Sequence, residues 1–229
     1  MKKYPGVLDS KYHDIRQNKR APKYRLARRT QEVIDSVISF YPGKPQSILD
    51  VGTADAAMLK ALEATFKPQL AVGLEYCFDL LLHGKPAGAT ELLCGNAQHL
   101  PFQDDTFDLI VATAVIEHVP SPEIMMNECA RVLKPDGIIV ITTPDPKLEC
   151  IAHKIGLLED DEDHNETMDL ARLRYYCTNA GLDVRKTKKF MFSPVGFPFE
   201  RTIERIFGPL GLDYLMANQL AVASAPSIN

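Results

Sequence analysis

The spacing of apolar residues changes along the chain and predicts the order of its helices and strands. Between Lys23 and Phe40 the apolar residues fall mainly on one face, which predicts an amphipathic helix that ends before Tyr41. From Ser47 onward, short apolar runs typical of strands alternate with helical patterns. The predicted strands are 47–51, 70–74, 91–94, 107–113 and 137–142, and the predicted helices are 56–66, 76–83 and 121–133.

This alternation predicts βαβ units, and hence a doubly wound α/β fold in which a mostly parallel sheet lies between two layers of helices. Two strand runs, 109–113 (LIVAT) and 138–142 (IIVIT), are apolar at consecutive positions, which places them at the centre of the sheet. After Pro144, an acidic segment over 159–166 leads to a predicted helix over 167–180 that Gly181 closes. A terminal β section follows, divided by an aromatic insertion.

Length and composition limit the class of protein. With 229 residues and 45% apolar residues, the chain predicts a single domain over 1–229, with an N-terminal helical basic arm (1–45), a central core (46–145) and a C-terminal part (146–229) that completes the sheet. No run approaches the roughly 20 apolar residues of a membrane span, and the N-terminus lacks the apolar core of a signal peptide. We therefore expect a cytoplasmic protein without a transmembrane segment.

Charge and cysteine content narrow the chemistry further. The net charge is −4, but residues 1–30 hold ten Lys and Arg against two Asp. Such a basic arm either steers an anionic ligand or forms an ordinary solvated helix face, and the acidic remainder of the chain argues against a nucleic-acid groove. The five cysteines form no CxxC pair, so we expect reduced thiols rather than disulfides or a zinc site.

Two features of the central core predict a ligand site. The run 48–57 (ILDVGTADAA) is a strand that breaks into a tight turn of small residues and then enters a helix, whose N–H groups favour an anionic group. The next predicted strand ends in Glu75, whose carboxylate can accept hydrogen bonds from both hydroxyls of a ribose. The alternatives are a turn without a ligand and a solvated helix N-cap.

Five motifs in order resemble those of class I S-adenosylmethionine-dependent methyltransferases. They are 49–52 (LDVG), Glu75, 95–102 (GNAQHLPF) with Phe107-Asp108, 117–119 (EHV) and 130–137 (ARVLKPDG). The motifs resemble most closely those of the group that includes ubiquinone-pathway, sugar and small-molecule O-methyltransferases. The resemblance implies a Rossmann-like, mostly parallel seven-stranded sheet whose last strand is antiparallel, with helices on both faces and S-adenosylmethionine at the topological switch point.

The resemblance also implies roles for individual residues. Asp50 would order the first loop or bind the methionine end of the cofactor. The other residues expected to bind the cofactor are Gly52, Thr53, Ala54, Glu75 (ribose), Tyr76, Asn96 and Ala97 (adenine), and Thr113 and Ala114 (near the methyl group). His118, on the substrate side, is the candidate general base, because imidazole titrates near neutral pH. The alternative is a histidine that only hydrogen-bonds its own loop.

The loop after Asp50 departs from the family pattern. The family usually has Gly-x-Gly-x-Gly, whereas this chain has 52–56 as GTADA. Each alanine adds a methyl group near the cofactor and is expected to disfavour the positive φ that glycine allows. Asp55 adds a negative charge close to where the cofactor carboxylate would lie. Asn96 stands where Asp is commoner, and its amide oxygen can still accept from an adenine amino group.

Two segments outside the motifs leave alternatives open. The acidic segment 159–166 predicts a solvated loop rather than a divalent-cation site, so no metal is expected. The insertion over 190–212 is rich in aromatic and aliphatic residues. It could wall a substrate pocket, form a homodimer contact, touch a membrane or pack in the core.

Taken together, the residues and the resemblance predict methyl transfer to a small-molecule acceptor, most favourably through an oxygen nucleophile. One alternative is a non-catalytic protein of the same fold that binds the cofactor without turnover. A nicotinamide oxidoreductase is the other, although the chain has no Tyr-x-x-x-Lys pair and a poor glycine fingerprint. Nucleic acid is not expected as a partner.

Overall fold

The computed structural model describes residues 13–15, 18–84, 88–154 and 167–227, apart from the side chains of residues 152 and 153. Its strands are β1 (Ser47–Val51), β2 (Leu70–Glu75), β3 (Thr90–Cys94), β4 (Phe107–Thr113), β5 (Leu133–Pro144), β6 (Asp183–Phe190) and β7 (Asn218–Ser224). Its helices are α1 (Arg20–Phe40), α2 (Ala57–Phe66), α3 (Phe78–Leu81), α4 (Pro122–Val132), α5 (Pro146–Lys154), α6 (Leu170–Asn179) and α7 (Glu200–Phe207), with a short 3₁₀ turn at Asp213–Leu215. Among the helices that the structure describes, none combines the length and the apolar composition of a membrane span.

The seven strands form one sheet in the order β3-β2-β1-β4-β5-β7-β6. β1 to β5 pair in parallel, and β7 lies antiparallel between β5 and β6. This arrangement confirms the expected Rossmann-like fold with an antiparallel last strand. Chain order reverses between β1 and β4, so the topological switch point lies between these two strands.

Side chains of successive residues in β1 face opposite sides of the sheet and enter different cores. Ile48 packs in a cluster with α1 and α2, whereas Leu49 packs in a cluster with α4 and α6. The run of consecutive apolar positions in β4 is buried throughout from Phe107 to Ala112, as expected for a central strand covered on both faces. Helices on the two sides therefore hold the carboxyl ends of the central strands in fixed positions.

All five cysteines are free thiols in the structure. Cys129 and Cys177 are buried, and burial raises the pKa of each thiol to about 12, which makes both unreactive. Gly181 has φ 79° directly after α6, the left-handed conformation predicted for the residue that closes this helix. The acidic segment 159–166 lies outside the described residues.

Candidate functional site

The predicted cofactor residues lie together at one edge of the sheet. β1, β2, β3 and β4 are parallel neighbours, so their carboxyl ends meet at the same edge. The residues named from the sequence all end these strands or follow them directly: Asp50, Gly52, Thr53, Ala54, Glu75, Tyr76, Asn96, Ala97, Thr113 and Ala114. The structure therefore brings into one place residues that span more than sixty positions of the chain.

The loop after β1 is fixed by its own backbone and by Asp50. The N–H groups of Gly52 and Thr53 donate to the Leu74 carbonyl at 2.7 and 3.1 Å. The Thr53 hydroxyl donates to the buried Asp50 carboxylate at 2.8 Å. Gly52 has φ 71°, and a Cβ at this position would lie 2.3 Å from a methyl group of Val115. Asp50 thus orders the loop, and Gly52 is needed both for its backbone angle and for the close approach of Val115.

The two alanines that replace family glycines keep the glycine-like backbone. Ala54 has φ 51° and Ala56 has φ 60°, so both alanines adopt the positive φ that alanine disfavours. Such a left-handed conformation costs an ordinary residue roughly 1 kcal/mol or more. Two hydrogen bonds hold it: the Ala54 N–H donates to a Glu75 carboxylate oxygen at 2.9 Å, and the Ala56 N–H donates to the Thr53 carbonyl at 2.9 Å.

Glu75 connects the ends of β1 and β2. Its side chain is 8% exposed, and its second oxygen accepts from the Cys77 N–H at 2.9 Å. Burial raises the pKa of this carboxyl, and the bonds from Cys77 and Ala54 partly oppose the rise because they favour the charged form. Glu75 therefore positions the alanine-containing loop in addition to any contact with a ligand, a role that the motif alone did not reveal.

The negative charge that the sequence places at Asp55 meets compensating groups. Asp55 is 4% exposed, and one of its oxygens lies 2.7 Å from Nδ1 of His13. The other oxygen accepts from the Ala57 N–H at the start of α2, at 3.3 Å. The His13 ring stacks on the ring of His83 with centroids 4.2 Å apart. His13 thus reaches the loop after β1. The Asp55 carboxylate faces the His13 ring and the first N–H group of α2, which favour its charge.

Asn96 and Ala97 lie in the loop after β3, which Arg131 of α4 holds by hydrogen bonds. The Asn96 side-chain oxygen accepts from the Gln98 N–H at 2.9 Å, so the oxygen that was expected to accept from adenine also shapes its own loop. Arg131 donates to the carbonyls of Leu100 and Phe102 at 3.0 and 2.8 Å. The sequence analysis placed Arg131 in the motif 130–137 but gave it no role. The structure shows that Arg131 positions the loop after β3.

The residues after β4 border the same edge from the other side of the switch point. Thr113 ends β4, and Ala114 follows with φ 54° and an N–H that donates to the Thr142 carbonyl at 2.8 Å. His118 is half-buried in the next turn, where its backbone N–H donates to the Val115 carbonyl at 2.9 Å. The neighbouring Glu117 is 2% exposed. The structure thus places the candidate base one turn beyond the residues expected near the methyl group.

Asp145, which follows β5 directly at the same edge of the sheet, is a buried residue that the sequence analysis did not single out. Its side chain is 3% exposed and accepts from the Lys189 ammonium at 2.6 Å. It also accepts from the Lys147 and Leu148 N–H groups at the start of α5, at 3.0 and 3.2 Å. A signal was present, because an Asp between two prolines after an apolar run is typical of a helix N-cap.

The insertion between β6 and β7 lies at this same edge. Asn218, the first residue of β7, pairs with both Pro144 and Phe190, the last residues of β5 and β6. Phe190 and Met191 are buried, which agrees with core packing, but Phe197 and Phe199 are 53% and 84% exposed. Core packing is therefore a wrong interpretation for the outer part of the insertion.

A buried ionic cluster attaches the insertion to α1. Arg28 is 8% exposed and pairs with Glu32 at 3.0 Å, with Glu204 at 2.8 Å and with Glu200 at 3.5 Å. Lys188 of β6 also pairs with Glu32. Burial, with the nearby Glu204 carboxylate adding to it, raises the pKa of Glu200 to about 7. Part of the basic arm is therefore buried, which corrects the interpretation of the arm as only a solvated helix face.

Comparison with known proteins agrees with this geometry. Residues 49–141 match the family model of the methyltransferase domain. A demethylmenaquinone methyltransferase of Bacillus cereus is 34% identical over 140 residues, which cover 51% of this chain and 59% of that protein. The chain therefore matches little more than half the length of this curated relative.

Solved structures extend the likeness to most of the chain. A chain from a complex between the Haloferax volcanii Trm112 methyltransferase activator and a protein assigned as a methyltransferase is 19% identical, with a TM-score of 0.69 over 94% of this chain and 98% of that one. The phosphoethanolamine N-methyltransferase 2 of Haemonchus contortus, in complex with S-adenosylhomocysteine, has a TM-score of 0.63 at 14% identity over 86% of this chain and 53% of that one. Residues 49–141 therefore match the methyltransferase domain family, and these solved structures share the fold of the chain.

Proposed function

We propose that this protein transfers a methyl group from S-adenosylmethionine to an oxygen atom of a small-molecule acceptor. The observation that carries the proposal is the buried Glu75 carboxylate at the tip of β2, bonded to the N–H of Ala54 in the loop after β1. This pairing joins the two elements that bind a nucleoside in doubly wound folds. The matched segment 49–141 and the named relative support the same class of reaction.

The residues of the edge fit the proposed cofactor. Both oxygens of Glu75 accept from backbone N–H groups and keep lone pairs for ribose hydroxyls. Gly52, packed against Val115, holds the first loop in the tight left-handed turn from which its backbone would face the cofactor. Asn96 and Ala97 supply polar and apolar contacts at the end of β3. When bound, the cofactor supplies a methyl group on a sulfonium, which is a strong leaving group.

The protein's own contribution is mainly alignment, exclusion of water and the removal of one proton. Alignment of two reacting atoms can supply much of a rate enhancement without any charged catalyst. A hydroxyl acceptor must lose its proton as the new bond to carbon forms. His118, half-buried beyond the end of β4, is proposed to take that proton on its imidazole. The proposed oxygen acceptor follows from this placement of a base.

Ligand binding and turnover test the proposal separately. S-adenosylmethionine or S-adenosylhomocysteine should raise the melting temperature of the pure protein, because a ligand that binds only the native state stabilises it. NAD at the same concentration serves as the control for a nicotinamide enzyme. A shift with NAD alone, or no shift with either sulfur nucleoside at saturation, would contradict the proposal. Formation of S-adenosylhomocysteine with a panel of hydroxyl, amine and carbon acceptors identifies the acceptor atom.

A non-catalytic binding protein remains the second candidate, and the two alanines of the first loop favour it. Ala54 and Ala56 add methyl groups where the family has glycine, although they keep the backbone angles. A protein of this second kind would bind S-adenosylhomocysteine in calorimetry and yet form none from S-adenosylmethionine with any acceptor of the panel. Turnover with one acceptor would eliminate it.

A further inference from the structure

Exposed apolar side chains are concentrated in the outer part of the insertion. Among the residues that the structure describes, twelve large apolar side chains are exposed, and six of them lie within residues 195–214. These six are Val195, Phe197, Phe199, Ile206, Leu210 and Tyr214. A concentration of this kind on a folded protein marks an interaction surface, whereas scattered exposed apolar residues are ordinary. We call residues 195–214 the apolar face.

Helix α7 within this face separates its acidic and basic residues. Its two carboxylates, Glu200 and Glu204, point inward and pair with Arg28. Its two arginines, Arg201 and Arg205, are exposed, and so is Ile206. The outer side of the helix therefore presents cations beside apolar side chains, while its negative charge is kept inside the protein.

Further cations border the face from α1. The Tyr24 ring lies 3.2 Å from the position that a Cβ on Gly196 would take, so the start of α1 touches the apolar face. Arg20 and Lys23 are exposed within one turn of Tyr24. Although the chain as a whole carries a net charge of −4, Arg205, Arg20 and Lys23 border an apolar surface. Arg201 adds a fourth cation, which pairs with Asp35 of α1 at 2.5 Å. Aromatic and aliphatic side chains bordered by Lys and Arg suit the boundary between lipid headgroups and acyl chains of an anionic membrane.

We propose that the apolar face docks on the surface of a membrane that contains anionic lipids. Phe197, Phe199 and Leu210 enter the headgroup boundary, and Arg205, Arg20 and Lys23 contact lipid phosphates. The face lies at the carboxyl edge of the sheet, because β7 begins beside the ends of β5 and β6. Docking therefore turns the edge that holds Glu75 and Thr113 towards the bilayer, and the acceptor is one that partitions into lipid. This binding goes beyond methyl transfer and does not require it.

Charge favours the membrane over a second copy of the chain. A symmetric dimer through this face would place the same surface on both sides of the contact. Arg205 of one copy would then face a surface with the same positive charges, with Asp213 as the exposed carboxylate of the face, since Glu200 and Glu204 are used internally and Asp35 pairs with Arg201. An anionic lipid surface supplies the opposite charge without that conflict.

Co-sedimentation of the full chain with vesicles tests the proposal without any cofactor. We expect binding to vesicles of phosphatidylcholine and phosphatidylglycerol, weaker binding to phosphatidylcholine alone, and further weakening in high salt. The double substitution Phe197→Ser and Phe199→Ser should weaken binding to the mixed vesicles at least tenfold. Arg205→Gln should weaken it severalfold and reduce the preference for the anionic lipid.

Ile38→Ser is the matched control, because Ile38 is 68% exposed at the far end of α1. It should leave vesicle binding unchanged, and each variant should keep the melting temperature and the cofactor-induced shift of the parent. Absence of binding at millimolar lipid overturns the proposal, and so does equal binding by the double variant. A concentration-dependent dimer in sedimentation equilibrium that Phe199→Ser abolishes would assign the face to a second copy instead. Failure of methyl transfer leaves these outcomes unaffected.

Discussion

The sheet edge that carries the predicted cofactor residues, called the cofactor edge, is fixed by the bond between Ala54 and Glu75. The insertion is fixed by the bond between Arg28 and Glu204, and the two bonds differ in sequence separation and in chemistry. Ala54 and Glu75 are 21 positions apart and join a backbone N–H to a carboxylate. Arg28 and Glu204 are 176 positions apart and join two charged side chains. The first bond belongs to neighbouring strands, so a short ordered motif specifies it. The second depends on how distant parts of the chain pack, and a substitution on either side can remove it without changing any motif.

The largest effect should come from His118, on the cofactor edge. General bases contribute roughly 10²- to 10⁴-fold, so His118→Ala should lower turnover of a hydroxyl acceptor by about that factor. Calorimetry should show nearly unchanged affinity for S-adenosylhomocysteine, because the imidazole is proposed to act on the acceptor. Turnover within about threefold of the parent from pH 5 to pH 8 would show that alignment alone carries the reaction.

Arg28→Ala should produce the largest loss of stability. The substitution leaves three buried or half-buried carboxylates with Lys188 as the remaining cation of the cluster, and breaking a buried pair costs roughly 3 to 5 kcal/mol. Urea denaturation measures the loss, and limited proteolysis should cleave first within residues 191–217. The exposed Arg205→Ala is the control and should change stability by less than about 0.5 kcal/mol. Equal effects of the two variants would deny the cluster its anchoring role.

Glu75→Ala tests the short-range bond of the cofactor edge. Removal of the carboxylate takes away the proposed acceptor for the ribose hydroxyls and the acceptor for the Ala54 N–H, so cofactor affinity should fall about tenfold or more. Isothermal calorimetry with S-adenosylhomocysteine measures the change. Glu91→Ala, at an exposed position of β3, is the matched control. Unchanged affinity for the Glu75 variant would remove this residue from the site.

Glu200 makes the stability of the insertion sensitive to pH. Its pKa in the folded protein is about 7, above the value of about 4.5 expected when the chain is unfolded. The native state therefore binds the proton more tightly, and this group's contribution to stability declines as pH rises from about 5 to 7. Each pKa unit corresponds to about 1.4 kcal/mol, so the decline should reach at least about 1 kcal/mol. Glu200→Gln should remove it, as denaturation at pH 5 and pH 8 would show. An unchanged pH dependence would assign the effect to other groups.

The smallest effect is expected for Ala56→Gly. The substitution relieves the cost of a left-handed alanine but increases the freedom of the unfolded chain, so stability should rise by less than about 1 kcal/mol. If the methyl group crowds the ligand, cofactor binding should tighten as well. Weaker binding would mean that the loop has been rebuilt around alanine. Ala61→Gly within α2 is the control and should destabilise, because glycine is unfavourable in a helix interior.

The sequence predicted most of the fold because the strands are short, buried and regularly spaced. β1 and β4 match their predicted bounds, and other elements differ by a few residues for local reasons. β5 begins at Leu133 rather than at residue 137, because Leu133 pairs with Phe107 before a shift in the strand register. Pro135 and Gly137 are unfavourable in strands, so the sequence pattern predicted a later start. α6 begins at Leu170 rather than at 167, because the Asp169 side chain caps it by accepting from the Arg172 N–H.

The candidate site was predictable only where its residues follow the strands directly. Glu75 and Asp50 could be named because each ends or follows an apolar run and belongs to an ordered motif. The contact between His13 and Asp55 joins residues 42 positions apart, and no period or spacing in the sequence links them. The same holds for the Arg28 cluster, whose members appear in the sequence only as ordinary charges of amphipathic helices. Such pairings depend on the packing of the completed fold.

The position of β7 has a consequence for the order in which the sheet can be completed during synthesis. β6 pairs with β7 and not with β5, so it has no place in the sheet until residues 218–224 have left the ribosome. Until then β5 ends the nascent sheet with an unpaired edge, and the insertion that precedes β7 has no fixed base. The parallel half can form early through contacts between nearby segments, whereas the last three strands close through contacts over a long stretch of chain. A ribosome-stalled chain ending before residue 218 would therefore carry a folded cofactor edge beside an exposed sheet margin, the state in which this protein is most exposed to aggregation.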